Sequence, residues 1–221
     1  MKDLMESLFA KNPYRNFDKQ GLKMDLQGWH SDREIFKKLI DEVKPGLIIE
    51  VGSWKGGSAI NMAGILKKSK INAKILCIDT WLGSLEMWKA KGHKEVGFWY
   101  DSLMHDNGYP GLYYQFLHNV IAKKMQKIII PFPNTSVNAA RWLAWKNIKA
   151  KLIYVDGSHE EDDVYNDVKA YYELLDDKGI MFGDDYSDWP GVKKAVNKFC
   201  KRKKIKFKIV DNGIFWVIRK R

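Results

Sequence analysis

The chain is poor in cysteine, in long apolar runs and in repeated or low-complexity sequence, and each shortage removes a class of protein. Only Cys77 and Cys200 occur among 221 residues. Neither number nor spacing suggests a disulfide framework, so both are expected to be free thiols. No apolar segment approaches the roughly 20 residues that a membrane-spanning helix needs. The opening residues, Met1 to Asn12, lack the apolar core of a secretory signal, so a cytoplasmic location without membrane contact is expected. With no repeat and no linker, a single domain over residues 1–221 is expected, carrying an N-terminal extension at 1–31.

Acids are also in deficit: 27 Asp+Glu stand against 38 Lys+Arg, for a net charge of +11. The excess is concentrated late, since Lys198 to Arg221 holds ten Lys/Arg and one acid, Asp211. Such a surface could serve nucleic acid, but no aromatic-interleaved arginine motif or zinc-ligand spacing accompanies it. Solvated lysines on a last helix and edge strands are the simpler reading, and a nucleic-acid partner is not expected.

What the chain does contain is a series of apolar runs that stop at carboxylates. Ile153, Tyr154 and Val155 lead to Asp156; Ile180, Met181 and Phe182 lead through Gly183 to Asp184 and Asp185. Continuous apolar runs of this length suit strands buried on both faces of a parallel sheet. Between them, Glu160 to Leu175 reads as a helix with Val164, Val168, Tyr171, Tyr172 and Leu175 on one stripe. Strand, helix, strand makes a right-handed crossover, so both carboxyl ends lie on one sheet edge. Three carboxylates and His159 are therefore expected together at the edge where open α/β sheets hold ligands. Like charges so close repel, and a bound cation would relieve them.

The same edge receives a glycine loop. Leu47 to Val51 reads as a strand, followed by Gly52-Ser-Trp-Lys-Gly56-Gly57-Ser58 and a helix from Ala59 to Lys68. The spacing is Gly-x-x-x-Gly-Gly, neither the dinucleotide fingerprint nor a P-loop. Glu50, just before the turn, would repel a pyrophosphate and suits a ligand with a cationic amino group. Lys74 to Asp79 is a second strand, with Asp79 placed either to accept from ribose hydroxyls or to cap a helix. Lys127 to Phe132 is a third, and Ser136 beyond it faces the place of a nucleotide base or serves as an N-cap.

Asp32 resembles an N-cap for the helix carrying Ile35, Phe36, Leu39, Ile40 and Val43. Trp29 and His30 before it could line a pocket, though simple packing is the readier reading. Thr80 to Gly111 is too long for a simple connection; with Trp81, Trp88 and Trp99 it forms either a lid or an accessory helical layer. Pro190-Gly191 opens a last helix, and Asp211-Asn-Gly213 turns a terminal hairpin between 205–210 and 214–218. The fold class expected is α/β: a Rossmann-like, seven-stranded, mostly parallel sheet with a C-terminal antiparallel hairpin and helices on both faces.

These residues resemble class I S-adenosylmethionine-dependent methyltransferases, and more narrowly the metal-dependent O-methyltransferases of the macrolide-sugar and catechol groups. Glu50-Val-Gly-Ser-Trp-Lys-Gly-Gly-Ser58 is similar to their first cofactor motif, with Trp54 in place of the usual second glycine. The resemblance implies cofactor contacts from Glu50, Gly52, Ser53, Gly56, Ser58, Asp79, Trp81, Ser136 and Asp156. It implies metal binding by Asp156, Asp184 and Asp185, with His159 as the base at an ordinary imidazole pKa. Catechol-type enzymes carry lysine and asparagine at the positions of His159 and Asp185, so the chain sides with the sugar group. The implied cofactors are S-adenosylmethionine and Mg²⁺, or Ca²⁺ or Mn²⁺ in its place. The implied partner is a small hydroxyl acceptor, a carbohydrate or related polyol, and a homo-oligomer is compatible with the sequence.

Overall fold

The computed structural model describes residues 4–18 and 21–220. The helix expected from Lys2 to Ala10 begins outside these residues; its described part is α1, Leu4–Leu8. Seven strands build one sheet: β1 Leu47–Val51, β2 Lys74–Asp79, β3 Ile129–Pro133, β4 Ala150–Val155, β5 Leu175–Gly183, β6 Phe207–Val210 and β7 Phe215–Arg219. Their order is β3-β2-β1-β4-β5-β7-β6. Strands β1 to β5 pair in parallel, while β7 runs antiparallel to both β5 and β6. The α/β class and the terminal hairpin are as expected.

The apolar runs explain the sheet's interior. Ile48, Ile49, Leu76, Ile153 and Met181 have no exposed surface, as strands covered on both faces require. The remaining helices are α2 Glu34–Val43, α3 Gly57–Lys68, α4 Leu85–Lys89, α5 Gly97–Asp101, α6 Leu112–Ala122, α7 Ser136–Trp145, α8 Glu161–Leu174 and α9 Pro190–Lys203. Helix α2 packs with α3, and α7, α8 and α9 pack in sequence. Phe36 of α2 is fully buried and meets Tyr154, Phe182 and Phe215 edge to face, with centroids 5.1 to 6.1 Å apart. That aromatic cluster lies directly behind the ends of β4 and β5.

Several boundaries depart from the sequence reading for identifiable reasons. Arg33, not Asp32, is the cap residue of α2, and its side chain makes no capping bond. His30 adopts φ +49°, and the Arg33 N–H closes the turn on the His30 carbonyl at 3.3 Å. Thr135, not Ser136, caps α7, accepting from the Asn138 N–H at 3.3 Å. Strand β5 begins at Leu175, directly after α8, and its register shifts opposite Ala150 and Leu152. The charged residues 176–178 hid that extension because they break the apolar run.

Both thiols are free and buried. Cations of the basic C-terminal region pair with acids: Lys198 with Glu161 at 3.3 Å, Lys203 with Glu173 at 2.7 Å, and Arg219 with Glu42 through two 2.8 Å bonds. Among the described residues no helix is long and apolar enough to cross a membrane.

The sheet order reverses between β1 and β4, and ligands of open α/β sheets bind outside the carboxyl ends at such a switch point. Gly183 ends β5 there. A Cβ on it would sit 2.4 Å from both the Trp216 ring and the Val155 carbonyl. Gly183→Ala is therefore expected to cost about 1–3 kcal/mol by overpacking, read as a lower midpoint in urea denaturation.

Candidate active site

Outside the carboxyl ends of β1, β2, β4 and β5 lies a cavity of about 610 Å³, within the ordinary range of small-molecule sites. The glycine loop forms one wall. Gly52 takes φ +83°, and a Cβ on it would fall 1.9 Å from the Asp156 carbonyl; only glycine lets β1 and β4 close together here. Trp54, at the position where a glycine is usual, also lies in the left-handed region at φ +48°. Its backbone is held by Asp79 and its indole donates to Gln27 Oε1 at 3.2 Å.

Asp79 binds this loop as well as facing the cavity. Oδ2 accepts from the backbone N–H groups of Ser53 at 2.8 Å and Trp54 at 2.9 Å, and Oδ1 accepts from Trp81 N–H at 2.7 Å. A carboxylate has roughly four lone-pair sites, so about one remains for a ligand. Glu50 lies beneath the loop and does not line the cavity. It is fully buried and accepts from Ser53 Oγ at 2.7 Å, Ser58 Oγ at 2.6 Å and Cys77 Sγ at 3.2 Å. Burial raises its carboxyl above the usual range, against the pull of those donors. Gly56 and Trp81 also support from behind, Trp81 donating its indole N–H to the Trp54 carbonyl at 2.8 Å. Gly52, Ser53, Ser58, Asp79, Ser136 and Asp156 do line the cavity.

The acidic end is tightly knit. Tyr154, fully buried on β4, donates its hydroxyl to Asp156 Oδ2 at 2.9 Å and lies 3.5 Å from Asp184 Oδ2. Burial and the neighbouring carboxylates push its phenol well up, so it remains a donor. Burial, then Asp184 and Asp185, raise the Asp156 carboxyl well above its usual range. Burial and the Asp185 charge raise Asp184 to about 7, despite the Asp185 N–H it accepts at 2.8 Å. Asp184 also meets His30: Nδ1 lies 3.2 Å from each carboxylate oxygen. Among the described residues, His30, Asp184 and Asp185 form the group able to share one metal ion, their ligand atoms all within 4.8 Å of one another. Asp156 stands beside this group, engaged by Tyr154.

His159 is clamped on three sides. Its ring stacks on Trp189 with centroids 4.2 Å apart and an interplanar angle of 11°. Nε2 lies 3.0 Å from Asp185 Oδ2 and Nδ1 lies 2.9 Å from Glu86 Oε1. Gly191 permits the clamp, since a Cβ there would be 2.2 Å from the His159 carbonyl. Burial disfavours the charged ring, but contacts with Asp185 and Glu86 outweigh it and raise His159 to about 10. Burial works against the Glu86 charge too, yet His159 and Ser84 hold that carboxyl down at about 2. The ordinary imidazole pKa expected for His159 is therefore corrected; Asp185 is the first cause of the rise, and the second, Glu86, is a residue of the 80–111 insertion that sequence reasoning did not single out.

That insertion is both a layer and a wall. Trp88, Tyr100 and His105 form an aromatic cluster, with Trp88 bonded to the Leu82 carbonyl at 2.9 Å. Leu85, Glu86, Met87 and Trp99 line the cavity. Trp29 and His30 line it as well, the less favoured of the two places the sequence left open for them. At the other end Asp167 was missed; burial raises it to about 6, opposed by Ser136. Its signal was present, because it interrupts the apolar stripe of Val164, Val168 and Tyr171 on α8.

Comparison with known proteins places this geometry in context. Residues 49–186 match the model of a methyltransferase domain family. A 50-residue stretch is 38% identical to an uncharacterized protein of Acanthamoeba polyphaga mimivirus, covering 21% of this chain and 23% of that one. The fold is similar to the O-methyltransferase NovP, with a TM-score of 0.61, 18% identity, and coverage of 85% of this chain and 79% of the other. It is also similar to the calicheamicin methyltransferase CalS11, at TM-score 0.57 and 15% identity over 84% and 76% of the chains. A third likeness is an O-methyltransferase from Bacillus cereus in complex with SAH, at TM-score 0.55 and 10% identity over 90% and 84%.

Because the folded pKa of His159 exceeds its ordinary 6.5, the clamp stabilises the fold fully below that pH and fades as pH rises towards about 10. In protein freed of divalent ions, the His159 ring resonances are expected to titrate near 10 by NMR, and markedly lower in Glu86→Gln. An unmoved midpoint in the variant would refute the role given to Glu86.

Proposed function

The chain belongs to the methyltransferase domain family, and we infer that it moves a methyl group from S-adenosylmethionine to a hydroxyl oxygen of a small acceptor, assisted by a divalent cation. The carrying observation is that one cavity joins a glycine loop tied to Asp79 with the Asp184, Asp185 and His159 cluster.

The residues fit both groups. Asp156 and Asp184 are held above the usual carboxyl range by burial and by neighbouring acids, a repulsion that a cation removes. Asp184 and Asp185, with Asp156 adjacent, would hold the ion. A divalent ion bound there lowers the pKa of an acceptor hydroxyl. The sulfonium donor supplies a methyl group open to in-line displacement. Gly52, Ser53 and Ser58 line the donor's place, and Asp79 retains room for about one hydroxyl. Ser136 and Asp167 close the far end.

The work left to the protein is orientation, which in-line transfer rewards strongly. Trp189, Glu86 and Asp185 fix the His159 ring. With its pKa at about 10, His159 holds its proton at neutral pH and serves as donor and counter-charge. Taking up the Asp185 charge on a cation would lower that pKa and favour His159 as a base, with the Glu86 contact still opposing. Trp29, Leu85, Met87 and Trp99 give the acceptor an apolar and aromatic wall, suited to the flat faces of sugars or aromatic diols. We favour a sugar or related polyol. CalS11, one of the similar folds, is a TDP-rhamnose 3'-O-methyltransferase.

The test is calorimetry with S-adenosylhomocysteine, followed by labelled methyl transfer to sugars and vicinal diols with and without chelator. Asp184→Asn is expected to abolish transfer while keeping S-adenosylhomocysteine affinity within about threefold, under 1 kcal/mol. His159→Ala is expected to lower turnover by about 10²–10⁴-fold with little change in that affinity. Failure to bind S-adenosylhomocysteine, or turnover indifferent to Asp184→Asn and to chelator, would defeat this reading.

A further inference from the structure

The segment from Asp25 to Ser31 is pinned at both ends against the glycine loop and α3. The Asp25 N–H donates to Asn119 Oδ1 at 3.1 Å, and its carboxylate pairs with the almost fully buried Lys55 at 2.6 Å. At the other end Asn61 Nδ2 donates to the Ser31 carbonyl at 3.0 Å. Ser31 lies so close to Gly57 that a Cβ there would be 3.1 Å from Ser31 Oγ. Between these pins, the His30 ring rests edge-on against Phe215 at 6.2 Å and presents Nδ1 to Asp184.

Resting on the metal-assisted reading above, we propose that His30 is itself a ligand of the divalent ion, giving the centre a mixed nitrogen and oxygen donor set that prefers Mn²⁺ to Mg²⁺. The spacing suits it. Neighbouring ligands on an ion with bonds of about 2.1 Å lie about 3.0 Å apart in octahedral and about 3.4 Å apart in tetrahedral geometry. His30 Nδ1 is 3.2 Å from both Asp184 oxygens, and Asp185 offers a third donor within 4.8 Å. Imidazole suits first-row transition ions, whereas Mg²⁺ favours oxygen ligands and retained water. A donor delivered from a segment anchored at both ends is pre-positioned, as tight ligation requires.

The experiment uses the full chain stripped with chelator. Mn²⁺ is titrated by electron paramagnetic resonance, Mg²⁺ competes against it, and electron spin-echo modulation reports nitrogen bonded to Mn²⁺. Wild type is expected to bind Mn²⁺ at least about tenfold more tightly than Mg²⁺ and to show nitrogen coupling. His30→Ala should remove the coupling and weaken Mn²⁺ at least about tenfold, the low end of losses seen even for outer partners of a metal site. His30→Gln, which offers an amide oxygen instead, should bring the two affinities together, and His159→Gln should keep the coupling. Unfolding midpoints of the His30 variants equal to wild type would exclude loss of fold. Equal affinities in wild type, coupling that survives His30→Ala, or tighter Mn²⁺ binding in that variant would overturn the proposal; the last would make His30 a counter-charge to Asp184. If wild type binds neither ion, the metal-assisted reading itself fails and the His30 assignment with it.

Discussion

Charge repulsion among Asp156, Asp184 and Asp185 is the constraint around which the rest of this molecule is arranged. Parallel pairing of β4 and β5 forces the ends of the two strands onto one edge, in register from Leu152 and Ile180 to Val155 and Gly183. Sheet geometry thus sets the acids side by side before any function is considered. The surroundings answer that repulsion piece by piece: Tyr154 from the strand itself, His30 from the N-terminal segment, and His159 from the turn into α8. Each lies on a different stretch of chain, and only the fold brings them to one place.

A second balance operates at the glycine loop. Asp79 would be a free acceptor facing the cavity, but three backbone N–H groups already claim it. Those bonds hold Trp54 in a conformation that a non-glycine residue adopts at a cost. The loop's departure from the commoner glycine spacing is therefore paired with a compensating grip from the next strand. Glu50 completes the arrangement from below, accepting from the Ser53 and Ser58 hydroxyls.

What the sequence revealed follows a physical division. Buried parallel strands advertise themselves as unbroken apolar runs, and β1 and β2 matched their expected limits residue for residue. The carboxylates at strand ends were legible for the same reason, because the runs point at them. Of the groups that partner those carboxylates, His159 was legible and the rest were not. Glu86 sits in an irregular insertion without periodicity, and His30 in a connection with none either; their roles depend on long-range packing that no local pattern encodes. Tyr154 was hidden inside an apolar run, where an aromatic residue reads as core. The β5 extension was masked by charged residues 176–178 and a register shift.

The pinned N-terminal segment carries a consequence for the way the molecule is made. It is made before its partners: Asn119 lies 94 residues downstream of Asp25, and Asp184 lies 154 downstream of His30. At roughly 5–20 residues per second, that second gap corresponds to a wait of roughly 8–30 s. Throughout this interval the His30 ring lacks its carboxylate partner, and the sheet edge it will face is still being built. The stretch around His30 therefore completes its contacts only after β5 has emerged, and the wall it gives the pocket closes no earlier.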